Sequence, residues 1–220
     1  MQICKQGNGH YLNGINNQDF CYAEKNLKLL MDGCSEGKFS EVGTRLFYQF
    51  FSKLENRFDV EKFEENVESV FKSILESFSK SEKDAESFII DNMLFTIIAC
   101  FELEDKFVLK YIGDGYIITI NTNDMVSYIR LSYGKTPPYY AYNILQTGSY
   151  SKGLSFKTFE LSKDSFKKVG IASDGIAPIV EKRISEDFED IILGRERKYT
   201  PEGVIKSNHT AFFDDITILI

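Results

Sequence analysis

The spacing of apolar residues changes along this chain and divides it into blocks. The first block is strand-like. Met1–Lys5 reads as a short edge strand, and Asp19–Ala23 and Leu27–Met31 as a pair joined by the turn Glu24-Lys25-Asn26. Between them, the Gly- and Asn-rich stretch Gly7–Asn17 predicts a loop. The spacing then turns helical. Val42, Leu46, Phe47, Phe50, Phe51 and Leu54 share one face of a helix expected from Glu41 to about Arg57, with Ser40 at its start. A second stripe (Val60, Phe63, Val67, Val70, Phe71, Ile74, Leu75, Phe78) has Glu and Lys opposite it, which is the pattern of a helix packed on a core. Lys80–Glu86 reads as a charged connector. Strand spacing returns over Leu94–Glu102, Phe107–Ile112, Tyr116–Asn121 and Met125–Leu131. Turn residues at Glu104-Asp105, Gly113-Asp114-Gly115 and Asn121–Asp124 predict an antiparallel meander. Ser132–Gly153, with Pro137-Pro138 and five Tyr, is long for a loop within a domain, a length usual in functional segments. Strands at Leu154–Leu161 and Val169–Ala172 and a helix at Ile184–Leu193 follow. A polar connector at Gly194–Asn208 leads to a closing strand at Asp215–Ile220.

Strands, helices, a run of strands, one helix and a last strand make an α+β pattern rather than an alternating βαβ one. Antiparallel strands accompanied by apolar helices suggest two packed sheets covered by helices. No linker, repeat or low-complexity segment interrupts the 220 residues, so one domain over residues 1–220 is expected.

Composition narrows the chemistry. The net charge of −7 argues against a nucleic-acid backbone or an anionic membrane as the main partner. The longest apolar run, Leu94–Phe101, is too short to span a bilayer, and no charged-then-apolar signal segment precedes Gly7. Cys4, Cys21, Cys34 and Cys100 are scattered without zinc-ligand spacing, which predicts reduced thiols in a cytoplasmic protein. Cys34 has only His10 and His209 available as a base, which disfavours a thiol nucleophile.

Acidic residues recur beside turns at strand ends: Asn17-Gln18-Asp19, Met31-Asp32-Gly33, Gly113-Asp114-Gly115, Ser173-Asp174-Gly175 and Asp214-Asp215-Ile216-Thr217. Each has an ordinary explanation in turn propensity. As a set they can meet on one rim of a sheet sandwich, where they would repel unless cations neutralised them. An all-oxygen set of carboxylates and a backbone carbonyl suits Mg²⁺ or Mn²⁺ rather than Zn²⁺.

In this order the motifs resemble the metal-dependent protein phosphatase 2C family, most of all its bacterial branch. The resemblance spans essentially the whole chain. It implies a four-layer αββα sandwich with a two-metal centre of Mn²⁺ or Mg²⁺ at one end. By motif, Asp32 would bridge both ions, the Gly33 carbonyl would bind one, and Asp174 and Asp214 would hold the other. Asp19 would act through a water or behind these ligands, and Asp114 would join a third ion. A bridging water would then attack phosphorus in line, so no protein nucleophile is required. The implied substrate is phosphoserine or phosphothreonine in a protein, opposite a cognate kinase in signalling. The chain departs from the family in three places. Gly14 stands where many members carry a phosphate-binding Arg, which leaves His10, Lys38 and Arg45 as candidate substrate cations. Cys34 replaces a His that serves some members as a general acid, and Gln18 replaces a glutamate. These losses keep open an alternative, a pseudophosphatase that binds metal or phosphoprotein as a regulator without turnover.

Overall fold

The fold is taken from a computed structural model that describes residues 1–131, 137–145, 153–184, 188–195 and 200–220. The strands are β1 (Gln2–Lys5), β2 (Phe20–Glu24), β3 (Leu27–Gly33), β4 (Phe95–Glu102), β5 (Lys106–Ile112), β6 (Gly115–Asn121), β7 (Val126–Leu131), β8 (Lys157–Ser162), β9 (Phe166–Ala172) and β10 (Ile216–Leu219). They form two antiparallel five-stranded sheets. The first runs β1-β10-β9-β6-β7 and the second β2-β3-β4-β5-β8. The helices are α1 (Asn8–Asn13), α2 (Ser40–Phe51), α3 (Phe63–Phe78), α4 (Glu82–Asn92), α5 (Ala177–Val180), α6 (Phe188–Ile192) and α7 (Pro201–Ser207). The expected αββα layering is what the chain adopts.

Side-chain alternation builds the layers. Successive residues of a strand point to opposite faces, so a strand buried on both faces feeds two cores. On β4, Phe95, Ile97, Ala99 and Phe101 join the core beneath α2 and α3, whereas Ile98 and Cys100 join the core between the sheets. On β6, Ile117 faces the intersheet core, and Tyr116, Ile118 and Ile120 face a third core shared with α5, α6 and α7. The helix-side core is dominated by Phe. Phe47 lies 5.7 Å from Phe95 edge-on, Phe71 stacks on Phe95 at 5.6 Å, and Phe63 meets Phe101 at 5.5 Å. Each fully buried ring contributes about 2–3 kcal/mol from apolar burial.

Several elements differ from what the spacing predicts. The meander does not exist as one sheet. β5 pairs with β4 and β8, and β6 pairs with β7 and β9, so the chain changes sheets at Gly113-Asp114-Gly115. Gly113 at φ +107° and Gly115 at φ +131° make that crossing possible, and a Cβ at Gly113 would lie 2.4 Å from the Thr96 side chain. Within the predicted loop Gly7–Asn17 the chain forms α1, closed by Gly14 at φ +67°. α2 stops at Phe51, not Arg57. Its buried face is Ser40, Gly43, Thr44, Phe47 and Phe51, while Val42 points outward. Small residues face inward there because Gly43 packs directly on the Asn92 backbone. α3 begins at Phe63, after a turn through Val60. The charged connector is largely α4, which buries only Ile89 and therefore shows little stripe; Ser81 caps it by accepting the Asp84 N–H. In the polar connector lies α7, with Thr200 as cap and Pro201 in its first turn. α5 was not predicted. Of the long loop Ser132–Gly153, residues 137–145 and 153 are described, with a short 3₁₀ turn at Tyr140–Asn143, and the rest lies outside the described residues. α6 falls inside the predicted helix Ile184–Leu193, of which residues 185–187 are likewise outside.

Candidate metal centre

The pattern that builds the cores also sets where strands end, and five acidic residues sit at those ends. Asp32 is the last residue but one of β3, paired across the ladder with Thr96. Gly33 follows, held so closely between Gln18 and Ser40 that a Cβ there would lie 2.8 Å from the Gln18 carbonyl oxygen. Ser40 Oγ ties the next residue down by donating to the Cys34 carbonyl at 2.7 Å. Asp174 leaves β9 through Ser173, whose hydroxyl donates to the Asp215 carbonyl (3.2 Å) and accepts the Thr217 N–H (2.9 Å). Gly175 packs on the same carbonyl, where a Cβ would lie 1.9 Å from its oxygen. Asp214 precedes β10, and Asp114 occupies the crossing between the sheets.

Asp32, Gly33, Asp114, Asp174 and Asp214 line one cleft of about 80 Å³, together with Cys34, Ser35, Thr96, Pro137 and Tyr139. The carboxyls answer to one another electrically. Burial raises Asp32 well above the usual carboxylate range, and the charges of Asp19, Asp174, Asp214 and Asp114 add to it. Asp174 is pushed up to about 6, first by burial and then by Asp214 and Asp114. Burial is also the main cause of the upward shifts of Asp114 and Asp214. Asp19, only 2% exposed, is raised by burial and by Asp215, and its carboxyl is hydrogen-bonded by the Thr217 hydroxyl and the Asp32 carboxyl. One of its oxygens, Oδ2, is buried without a hydrogen-bond partner among the described residues. A cluster that resists ionisation, a buried carboxylate oxygen left unpaired and an all-oxygen donor set together fit a hard divalent cation.

Three candidate substrate cations are placed elsewhere. His10 is 5% exposed on α1, with Nδ1 2.9 Å from Asp215 Oδ2 and Nε2 3.6 Å from Asp214 Oδ1. Lys38 pairs with Asp91 at 3.3 Å. Arg45 donates to the carbonyls of Glu41 (2.7 Å) and Asn17 (3.1 Å), bracing the chain before β2. None of the three lines the cleft. His10 still acts on Asp214 and draws it down, and Arg130, exposed on β7, does the same to Asp114 and Asp174.

Sequence reasoning also missed Asp215, Thr96 and Tyr139. Asp215 is 2% exposed and accepts the N–H groups of Gly7 (2.8 Å) and Gln18 (2.7 Å), so it ties both N-terminal segments to β10. Its atoms lie with those of His10 and Asp214 within 4.8 Å of one another. Because backbone donors already occupy both Asp215 oxygens, this trio buttresses Asp214. Doubling of the acid at Asp214-Asp215 is the one local signal for it. Thr96 is 2% exposed, its hydroxyl oxygen has no partner among the described residues, and only pairing across the ladder reveals that it faces Asp32. Tyr139 hydrogen-bonds Cys34, and burial pushes its phenol pKa upward.

The protein phosphatase 2C family model matches residues 6–206. The chain belongs to that family. Known structures of phosphatase 2C-like architecture superpose over nearly all of it. A bacterial serine phosphatase does so with a TM-score of 0.64 at 15% identity, over 99% of this chain and 94% of that one. The serine/threonine phosphatase Stp1 from Staphylococcus aureus gives 0.62 at 15% identity, over 99% and 92%. The catalytic domain of the serine/threonine protein phosphatase PstP, solved in complex with two manganese ions, gives 0.64 at 16% identity, over 99% and 94%. No curated protein sequence matches the chain. Among the described residues of this phosphatase 2C family member, no helix is long and apolar enough to cross a membrane.

Proposed function

We propose that this chain is a single-domain, Mn²⁺- or Mg²⁺-dependent phosphatase that hydrolyses phosphoserine or phosphothreonine in cytoplasmic signalling proteins, opposite a cognate kinase. The observation that carries the reading is the convergence of Asp32, Asp114, Asp174 and Asp214 on one cleft. Asp32 would serve two ions, with the Gly33 carbonyl on one and Asp174 and Asp214 on the other, while Asp114 would join a third. When bound, such ions would offset phosphate charge and supply an acidified water for attack on phosphorus. The chain's own contribution is positioning. Asp19 supports Asp32 from behind, and the Ser173 hydroxyl and Asp215 fix the loops that bear Asp174 and Asp214. Arg130 supplies positive charge on the cleft's outer side, and the Tyr139 phenol, kept protonated, is a neutral donor at its rim.

A second reading, a pseudophosphatase that binds without turnover, is favoured by the cleft lining itself, which among the described residues contains no Lys, Arg or His. Hydrolysis of an aryl phosphate and of a phosphothreonine peptide separates the two, measured with Mn²⁺, with Mg²⁺ and with chelator. Metal-dependent turnover abolished by Asp174→Asn is the expected result. Absence of turnover with a retained Mn²⁺-induced rise in melting temperature would transfer the assignment to the non-catalytic binder.

A further inference from the structure

Cys4 and Cys21 are far from zinc-ligand spacing and take no part in the acidic cleft, yet the fold brings their side chains together. Cys4 lies on β1, the edge strand of one sheet, and Cys21 on β2, the edge strand of the other. Cys4 packs against the intersheet core to which Cys21 belongs, so the two thiols are neighbours between the sheets. Polar donors hold both sulfurs in place: Asn17 Nδ2 and Thr217 Oγ1 each lie 3.5 Å from Cys4 Sγ, and Gln2 Nε2 lies 3.4 Å from Cys21 Sγ. The pair is asymmetric in access. Cys4 is half-buried, whereas Cys21 is 8% exposed. An oxidant therefore meets Cys4 first, with a second thiol directly behind it, the arrangement of an attacking and a resolving cysteine. The other thiols lack this arrangement. Cys100 is 1% exposed in the intersheet core, and Cys34 faces the carboxylates of the cleft.

We infer that Cys4 and Cys21 form a reversible disulfide that staples the two sheets at their shared edge when the protein meets a peroxide. The Cys4 thiolate attacks one peroxide oxygen, so an S–O bond forms, the O–O bond breaks and hydroxide departs, to be protonated to water. The Cys21 sulfur then attacks the Cys4 sulfenic acid. An S–S bond forms, the S–O bond breaks, and a second water leaves with the Cys21 proton. Two thiols lose two electrons and one peroxide is reduced to two waters. Dithiol exchange reverses the bridge. The closed segment contains His10, Gln18 and Asp19, so the bridge clamps the chain that runs behind the acidic cleft.

The test uses the full chain, reduced and then treated with a small excess of hydrogen peroxide, alkylated and mapped by mass spectrometry. The expected result is a loss of about 2 Da, carried by a peptide pair joining Cys4 to Cys21 and restored by dithiothreitol. The same bridge should form in Cys34→Ser. Cys4→Ser and Cys21→Ser should each abolish it, and the wild-type map stands even where a variant folds poorly. The bridged form should also melt at a higher temperature than the reduced form, because the cross-link restricts the unfolded chain. Over-oxidation of Cys4 without a bridge, a bridge to Cys34, or a covalent dimer in place of the intramolecular product would each overturn the inference.

Discussion

Replacing Asp174 by Asn should stabilise the metal-free protein while removing its response to Mn²⁺. In the fold the Asp174 carboxyl is pushed up from 3.8 to about 6 by burial and by the charges of Asp214 and Asp114. A carboxyl that binds its proton more tightly folded than unfolded makes its ionisation a cost to the native state. That cost is absent below the unfolded value, grows as pH rises and is complete once pH passes the folded value. A shift of this size amounts to about 3 kcal/mol above neutral pH. For a chain of this length it is worth on the order of 6–12 °C in melting temperature. Asn keeps the shape and an oxygen for the Gly175 N–H but carries no charge. Thermal unfolding in chelator from pH 4 to pH 8.5 should therefore show wild type and variant coinciding at the acid end and the variant ahead at the alkaline end. The variant's own slope is reduced rather than abolished, because Asp32, Asp19, Asp114 and Asp214 are raised in the same sense. Mn²⁺ at a hundredfold its dissociation constant should stabilise the wild type by about 2.7 kcal/mol. The gain should grow with pH, since protons and cations compete for the same oxygens. A variant less stable than wild type at pH 8 in chelator, or one that keeps the full Mn²⁺ response, would refute the electrostatic account of the cleft.

Asp215→Asn should cost about 1.5–3 kcal/mol in urea unfolding, because a carboxamide offers one oxygen where the Gly7 and Gln18 N–H groups require two. Gly43→Ala should destabilise by about 3 kcal/mol, as its Cβ would lie 1.8 Å from the Asn92 carbonyl oxygen and force α2 away from α4; a change under half a kcal/mol would show that the packing there yields freely. Phe47→Ala removes a fully buried ring in contact with Phe51, Phe71 and Phe95, and should cost about 4 kcal/mol with the unfolding slope unchanged.

By itself the sequence determined the type of most strands, the two long amphipathic helices and the positions where glycine permits a sharp turn. These are local properties. The stripe of α3 and the turn residues around Asp32 and Asp174 carry their meaning within a few residues. The ordered acidic motifs also pointed to the family, which the match over residues 6–206 bears out. Short helices were less legible. α4 buries one residue, and α1, α5 and α7 have seven residues or fewer, too short for a face to emerge. Only tertiary structure decided which strands share a sheet. Alternation on β5 and β6 states that both faces are buried but not by what, so Gly113-Asp114-Gly115 reads equally as a hairpin turn or as a crossing between sheets. The same holds for the site. Lys38 and Arg45 lie near Asp32 in sequence but turn to Asp91 and to backbone carbonyls, whereas Arg130 and Tyr139, remote in sequence, come to its edge. Charge and hydrogen bonding act through space, and the distances that rank them exist only once the two sheets have closed on each other.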